Sequence, residues 1–184
     1  MVPRAAPSPS ASGRSRSAWE WCVRRQEMDQ VRSGRHHASV SIIVKFFAAP
    51  SHEAAAAVVD GGPDGVFQSL SYGTFDAEEA LVEWESIFTG RSLDGLVAAG
   101  EPEVVADPGD GEGPMLFAAS DALQDALAAA GRFRLAEVGQ LWVQERAVDG
   151  EVFDQEIATR ILSDLARLAH GLRGQGHRLY CWTA

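Results

Sequence analysis

The sequence predicts an α+β fold, a single compact domain over residues 41–184, and three observations carry that prediction. A near-continuous β-prone run at Ile42, Ile43, Val44, Phe46 and Phe47 opens the domain, and Leu179-Tyr180-Cys181-Trp182 closes it. Each is apolar on both alternations, as a strand covered on both faces is. Between them lie segments with apolar residues at helical spacing, the longest at about 154–173. The expected architecture is therefore a small central sheet that includes the first strand (about 41–49) and the last (about 177–183), packed by several helices. With 184 residues, 46% of them apolar, the chain is long enough for one well-buried core and too short for two ordinary domains.

The elements follow in order. Residues 1–40 form a basic arm rich in Ser, Arg, Pro and Ala, expected to be disordered because so little apolar surface does not offset the entropy of ordering. Arg outnumbers Lys fifteen to one in the chain, which suggests a GC-rich coding sequence and favours reading the arm as a spurious N-terminal extension. Pro50 ends the first strand, and Ser51 is placed to cap a helix over His52–Val59. Val66–Phe75 reads as extended or irregular. Asp76 followed by Glu79 has capping-box spacing, and the helix it opens carries Ala80, Leu81, Trp84, Ile87 and Phe88 on one face. Gly90 stops it, and a short helix capped by Ser92 runs to Gly100. Glu103–Ala106 and Met115–Ala118 are strand-like pieces on either side of a Gly-rich loop. Ser120 caps the next helix, which Gly131 ends, and Phe133–Val148 is helical at least in part. In the long C-terminal helix Ile157, Ile161, Leu165, Leu168, Ala169 and Leu172 keep helical spacing, and Glu156 is placed to pair with Arg160.

Charge divides the chain in two. Residues 1–45 hold eight basic residues against three acids, whereas residues 46–184 hold eight Arg against twenty-three acids, a balance of −15. So acidic a domain repels phosphate backbones, which excludes general nucleic-acid binding by the folded part and leaves a basic protein as the compatible partner. No apolar run reaches the roughly 18–20 residues of a membrane span. With no apolar stretch of signal-peptide type, the expectation is a cytoplasmic protein. Cys181, flanked by Tyr180 and Trp182, reads as a packed core residue, as do Trp84, Trp142 and Trp182.

Chemistry-bearing residues are sparse. Asp107, Asp110 and Glu112 crowd the Gly-rich loop Asp107–Pro114, but the alternating pattern of a calcium loop is missing, as is the Gly-Lys-Ser/Thr ending of a phosphate loop. The plain reading is a solvated connection. Glu78, Glu79, Glu83 and Glu85 read as the wet face of an amphipathic helix, with a general acid/base pair as the alternative. No two histidines have helical metal-site spacing, and no metal site or cofactor is expected.

Three pieces, in order, resemble the YfbM-like family of bacterial proteins of unknown function: the helix ending Trp84-Glu-Ser-Ile-Phe-Thr-Gly90, the loop Gly111-Glu-Gly-Pro114 followed by a helix from Ser120, and the long C-terminal helix leading into a short apolar strand. This chain has Glu85 where the family often has His, and Glu112 where it has an aromatic residue. The resemblance implies an α+β fold over about residues 42–184 and brings no catalytic residues with it. The functional expectation is a non-catalytic acidic protein-binding module, of which toxin-neutralising (immunity) proteins are one type, with Glu78, Glu83, Glu85, Asp107, Asp110 and Glu112 as the candidate binding residues. The alternative is a small-molecule binder or hydrolase-like enzyme using acidic residues near the Gly-rich loop. A cleft holding two of these carboxylates favours the enzyme, and a shallow acidic face favours the binder.

Overall fold

The two β-prone runs find each other. In the structure, a computed structural model that describes residues 43–73, 75–107, 113–148, 150–172 and 174–184, strand β1 (Val44–Ala49) pairs antiparallel with β5 (Arg178–Thr183). Their register runs from Val44 opposite Thr183 to Ala49 opposite Arg178. Strand β2 (Ser69–Tyr72) adds outside β1, β4 (Met115–Ala118) adds beside β5, and β3 (Glu103–Ala106) lies beyond β4. The sheet order is β2-β1-β5-β4-β3, and every pairing is antiparallel. The expected arm at residues 1–40, and Asp110 and Glu112 of the Gly-rich loop, lie outside the described residues.

Among the described residues six helices pack this sheet: α1 (His52–Ala56), α2 (Ala77–Thr89), α3 (Leu93–Ala98), α4 (Asp121–Ala129), α5 (Arg132–Val148) and α6 (Gln155–Leu172). The result is one α+β domain. Alternate strand residues explain why the runs are apolar throughout. Val44, Phe46, Phe117, Leu179 and Cys181 enter the larger core with the buried faces of α2, α4, α5 and α6. Phe47, Ala49, Leu116, Tyr180 and Trp182 enter a smaller one with Ala55 and Val58 on the other side. Both faces are covered, so the central strands are apolar at most positions, and Lys45 of β1 is accommodated by carrying its ammonium to Asp64.

Local chemistry sets the element ends. Ser51, Asp76, Ser92 and Ser120 each accept a hydrogen bond from the backbone N–H three residues on. Gly90 closes α2 at φ 74°, a left-handed conformation open to glycine without strain. Helix α1 ends at Ala56, earlier than the spacing predicts, because Val58 and Val59 turn back to the carbonyls of Ala55 and Ala56 in tighter three-residue turns. Among the described residues, no helix is long and apolar enough to cross a membrane.

Candidate functional site

The first correction concerns α2. Glu83 and Glu85 are not on a wet face: they are 7% and 2% exposed, and of the predicted set on this helix only Glu78 faces solvent. Burying a carboxylate is costly unless charge and hydrogen bonds meet it, and each of the two is met by a different network.

Glu83 belongs to the larger core. The Trp142 indole N–H donates to its Oε2 at 2.7 Å, and the guanidinium of Arg146, itself 1% exposed, lies 3.5 Å from Oε1. Arg146 also contacts Glu79 and reaches Glu151 at 3.1 Å, so one cation serves three carboxylates. The rings of Phe75, Trp84, Trp142 and Phe153 pack nearby in edge-to-face and tilted pairs, with centroids 4.7–6.1 Å apart. Burial pushes the Glu83 carboxyl up to about 7 in spite of the opposing pull of Arg146 and Trp142. The same burial works against the charge on Arg146, but Glu79, Glu83 and Glu151 together hold its pKa above the ordinary value.

Glu85 points the other way, to the end of the sheet. Its Oε1 accepts from Arg91 Nη1 at 2.9 Å, and its Oε2 accepts from Ser120 Oγ at 2.5 Å while that same hydroxyl caps α4. Next to it the C-terminal end of β1 and the N-terminal ends of β3 and β5 bring a second group together. Arg178 Nη1 lies 2.7 Å from His52 Nε2; a guanidinium only donates, so Nε2 accepts and the ring carries its hydrogen on Nδ1. Glu103 Oε2 sits 3.7 Å from His52 Nε2 and 3.9 Å from Arg178 Nη1, and Asp121 is 3.3 Å from Arg178 Nη2. The His52 ring meets Tyr180 edge to face at 5.6 Å. The carboxyl of Glu101 is pushed up by partial burial and then by the charges of Glu85 and Glu103, with Arg91 and Arg178 opposing.

Of the other predicted residues, Asp107 is exposed just past β3. Glu83 and Glu85 do not share a cleft. Surface depressions of about 370 Å³ along α6, at Gln155, Thr159, Ser163 and Arg167, and of about 290 Å³ around Gln124, Ala169 and His177 take in neither. Among the described residues no three His, Cys, Asp or Glu side chains are placed to hold a metal ion. Cys181 is fully buried, and its thiol pKa is raised well above the ordinary value by desolvation and then by the Asp76 charge.

The sheet-end group was hidden from sequence reasoning because its members come from five separate segments. The one local signal is a pair of acids, Glu101 and Glu103, on either side of Pro102 where β3 begins. Comparison with known protein families, with characterised proteins and with solved structures finds no match to this chain.

Proposed function

We propose that this domain is a non-catalytic acidic binding module for a basic protein, of the toxin-neutralising (immunity) type, acting in the cytoplasm as a YfbM-like protein. The observation that carries the reading is the use made of the arginines. Arg91, Arg134, Arg146, Arg167 and Arg178 are all engaged in ion pairs within the domain. Asp60, Glu78, Asp94, Asp125, Glu145 and Glu156 meanwhile stand exposed and make no ion pair among the described residues. Arg132 and Arg160 are also exposed and outside any ion pair among the described residues, but these six acids outnumber them, so the excess displayed is negative and gives an outward field that steers a basic partner and repels an acidic one. The hydrolase-like alternative gains nothing comparable, since Glu83 and Glu85 serve two separate structural networks.

The test is one of sign. Calorimetric titration with oligolysine should show saturable binding at low salt, and oligoglutamate of equal length should show none. Binding of neither peptide, or of both alike, removes the reading.

A further inference from the structure

Helix α5 is apolar on two faces. Leu135, Val138 and Trp142 enter the larger core on one side of it, whereas on the other Phe133 is 77% exposed, Leu141 39% and Val148 86%. At 3.6 residues per turn these three fall within about 80° of one another, and Glu137, Gln140 and Gln144, also exposed, lie among or beside them. A helix on the surface of a domain ordinarily carries a single apolar face. Charge on α5 also runs against its dipole. Arg132 and Arg134 stand in the first turn with no acid there, and Glu145 stands in the last, where the one cation, Arg146, is buried and faces the core. A lone helix favours the reverse. Arg132 is exposed, makes no ion pair among the described residues, and holds its guanidinium 4.5 Å over the exposed Phe133 ring.

We propose that two copies of the chain pair antiparallel along α5, about a two-fold axis. The stripe is self-complementary in that orientation. Phe133 and Val148, Glu137 and Gln144, and Gln140 and Leu141 are each equidistant from the point between Gln140 and Leu141, so an axis there sets each residue against its counterpart in the second copy. The pairing covers the Phe133 and Val148 side chains of both copies. It also lays the positive start of each α5 against the negative end of the other and brings Arg132 and Arg134 toward Glu145 of the second copy. A 17-residue helix is about 25 Å long, and one face of it offers far less than the roughly 800 Å² per partner of a standard stable interface. The pair is therefore weak, with a dissociation constant on the order of 10–100 µM. It does not depend on the acidic-module reading, and salt separates the two. The negative charge on both copies opposes the pairing and is screened by salt, which tightens the pair and loosens a basic partner.

Sedimentation equilibrium of the full chain from about 1 µM to about 500 µM tests it. The expected result is a monomer–dimer equilibrium that tightens several-fold as salt is raised from about 0.05 M to about 0.5 M. Phe133→Glu and Val148→Lys should each weaken it about ten-fold or more. Leu93→Ser and Val97→Ser, which truncate apolar residues 45% and 46% exposed on α3, should change it less than about two-fold. All four positions are exposed, so the melting temperature of each variant should stay close to that of wild type. An equimolar mixture of the Phe133→Glu and Val148→Lys chains should recover the dimer. Antiparallel pairing sets the two substituted positions opposite each other with opposite charges and keeps the Phe133–Val148 contact at the other end. A chain that is monomeric throughout assigns the stripe to a different occupant and overturns the proposal. A dimer weakened as much by the α3 variants as by the α5 variants places the contact elsewhere, and a mixture that stays monomeric shows that the helices do not run antiparallel; either result overturns it as well.

Discussion

At the scale of single residues, the buried acids on α2 show where reasoning from local pattern stops. Polar periodicity assigns Glu83 and Glu85 to solvent, but Glu83 falls three residues after Ala80 and four before Ile87, and Glu85 falls four after Leu81 and three before Phe88. Both therefore border the apolar stripe. What makes their burial tolerable lies far along the chain, in Arg146, 63 residues from Glu83, and in Ser120, 35 residues from Glu85. No window of local sequence contains those partners. The network has a pH signature. With its folded pKa raised to about 7 from an ordinary 4.5, Glu83 binds its proton more tightly folded than unfolded. Its contribution is fully present below about pH 4.5 and is lost as pH rises through about 7. Glu83→Gln removes that penalty, so its stability relative to wild type should climb across this window by on the order of 1–3 kcal/mol. Urea midpoints of the two proteins from pH 5 to pH 8 measure it, and parallel curves would show that Glu83 ionises as freely folded as unfolded.

At the scale of elements, sequence reasoning succeeds where the cause is local. The caps at Ser51, Asp76, Ser92 and Ser120, the stop at Gly90 and the long α6 all follow from side chains within a few residues of the event. It does less well where elements meet. The predicted Glu156–Arg160 pair does not form, and Asp154 instead accepts from the backbone N–H groups of Glu156 and Ile157 at the start of α6. Two helical glycines separate local from tertiary effects. A Cβ on Gly139 of α5 would come within 3.0 Å of Thr159 Oγ1 and 3.2 Å of the Thr159 backbone nitrogen on α6. Gly171, near the end of α6, has open space around it. Helix propensity favours Ala over Gly by about 1 kcal/mol at either site, but overpacking costs about 1–3 kcal/mol at the first. Gly139→Ala should therefore destabilise the domain and Gly171→Ala should stabilise it, as thermal melts will show; a gain from both would mean that α5 and α6 pack less closely than described. Trp84 tests the docking of α2. It is fully buried, with its ring 5.2 Å from that of Trp142, and Trp84→Ala should cost about 3–5 kcal/mol. A loss below about 1 kcal/mol would mean that α2 does not depend on it.

At the scale of the whole molecule, the fold was legible because its organising fact is compositional: the two segments apolar on both alternations are the two that need cover on both faces, and they pair at the centre of the sheet. The sheet-end group was not legible, since His52, Glu85, Glu101, Glu103, Arg178 and Tyr180 become neighbours only through that pairing and the β3–β4 hairpin beside it. Charge also acts at this scale. The balance of −15 over residues 46–184 is a property of no single residue, and its effect on binding is long-range. The most direct test is the rate at which the domain associates with oligolysine as salt is raised from about 0.02 M to about 0.5 M, over which the screening length falls from about 20 Å to about 4 Å. Steering by the displayed acids predicts an association rate that drops by an order of magnitude or more while dissociation changes little. An association rate indifferent to salt would contradict the account, because it would mean that the acidic surface plays no part in finding a partner.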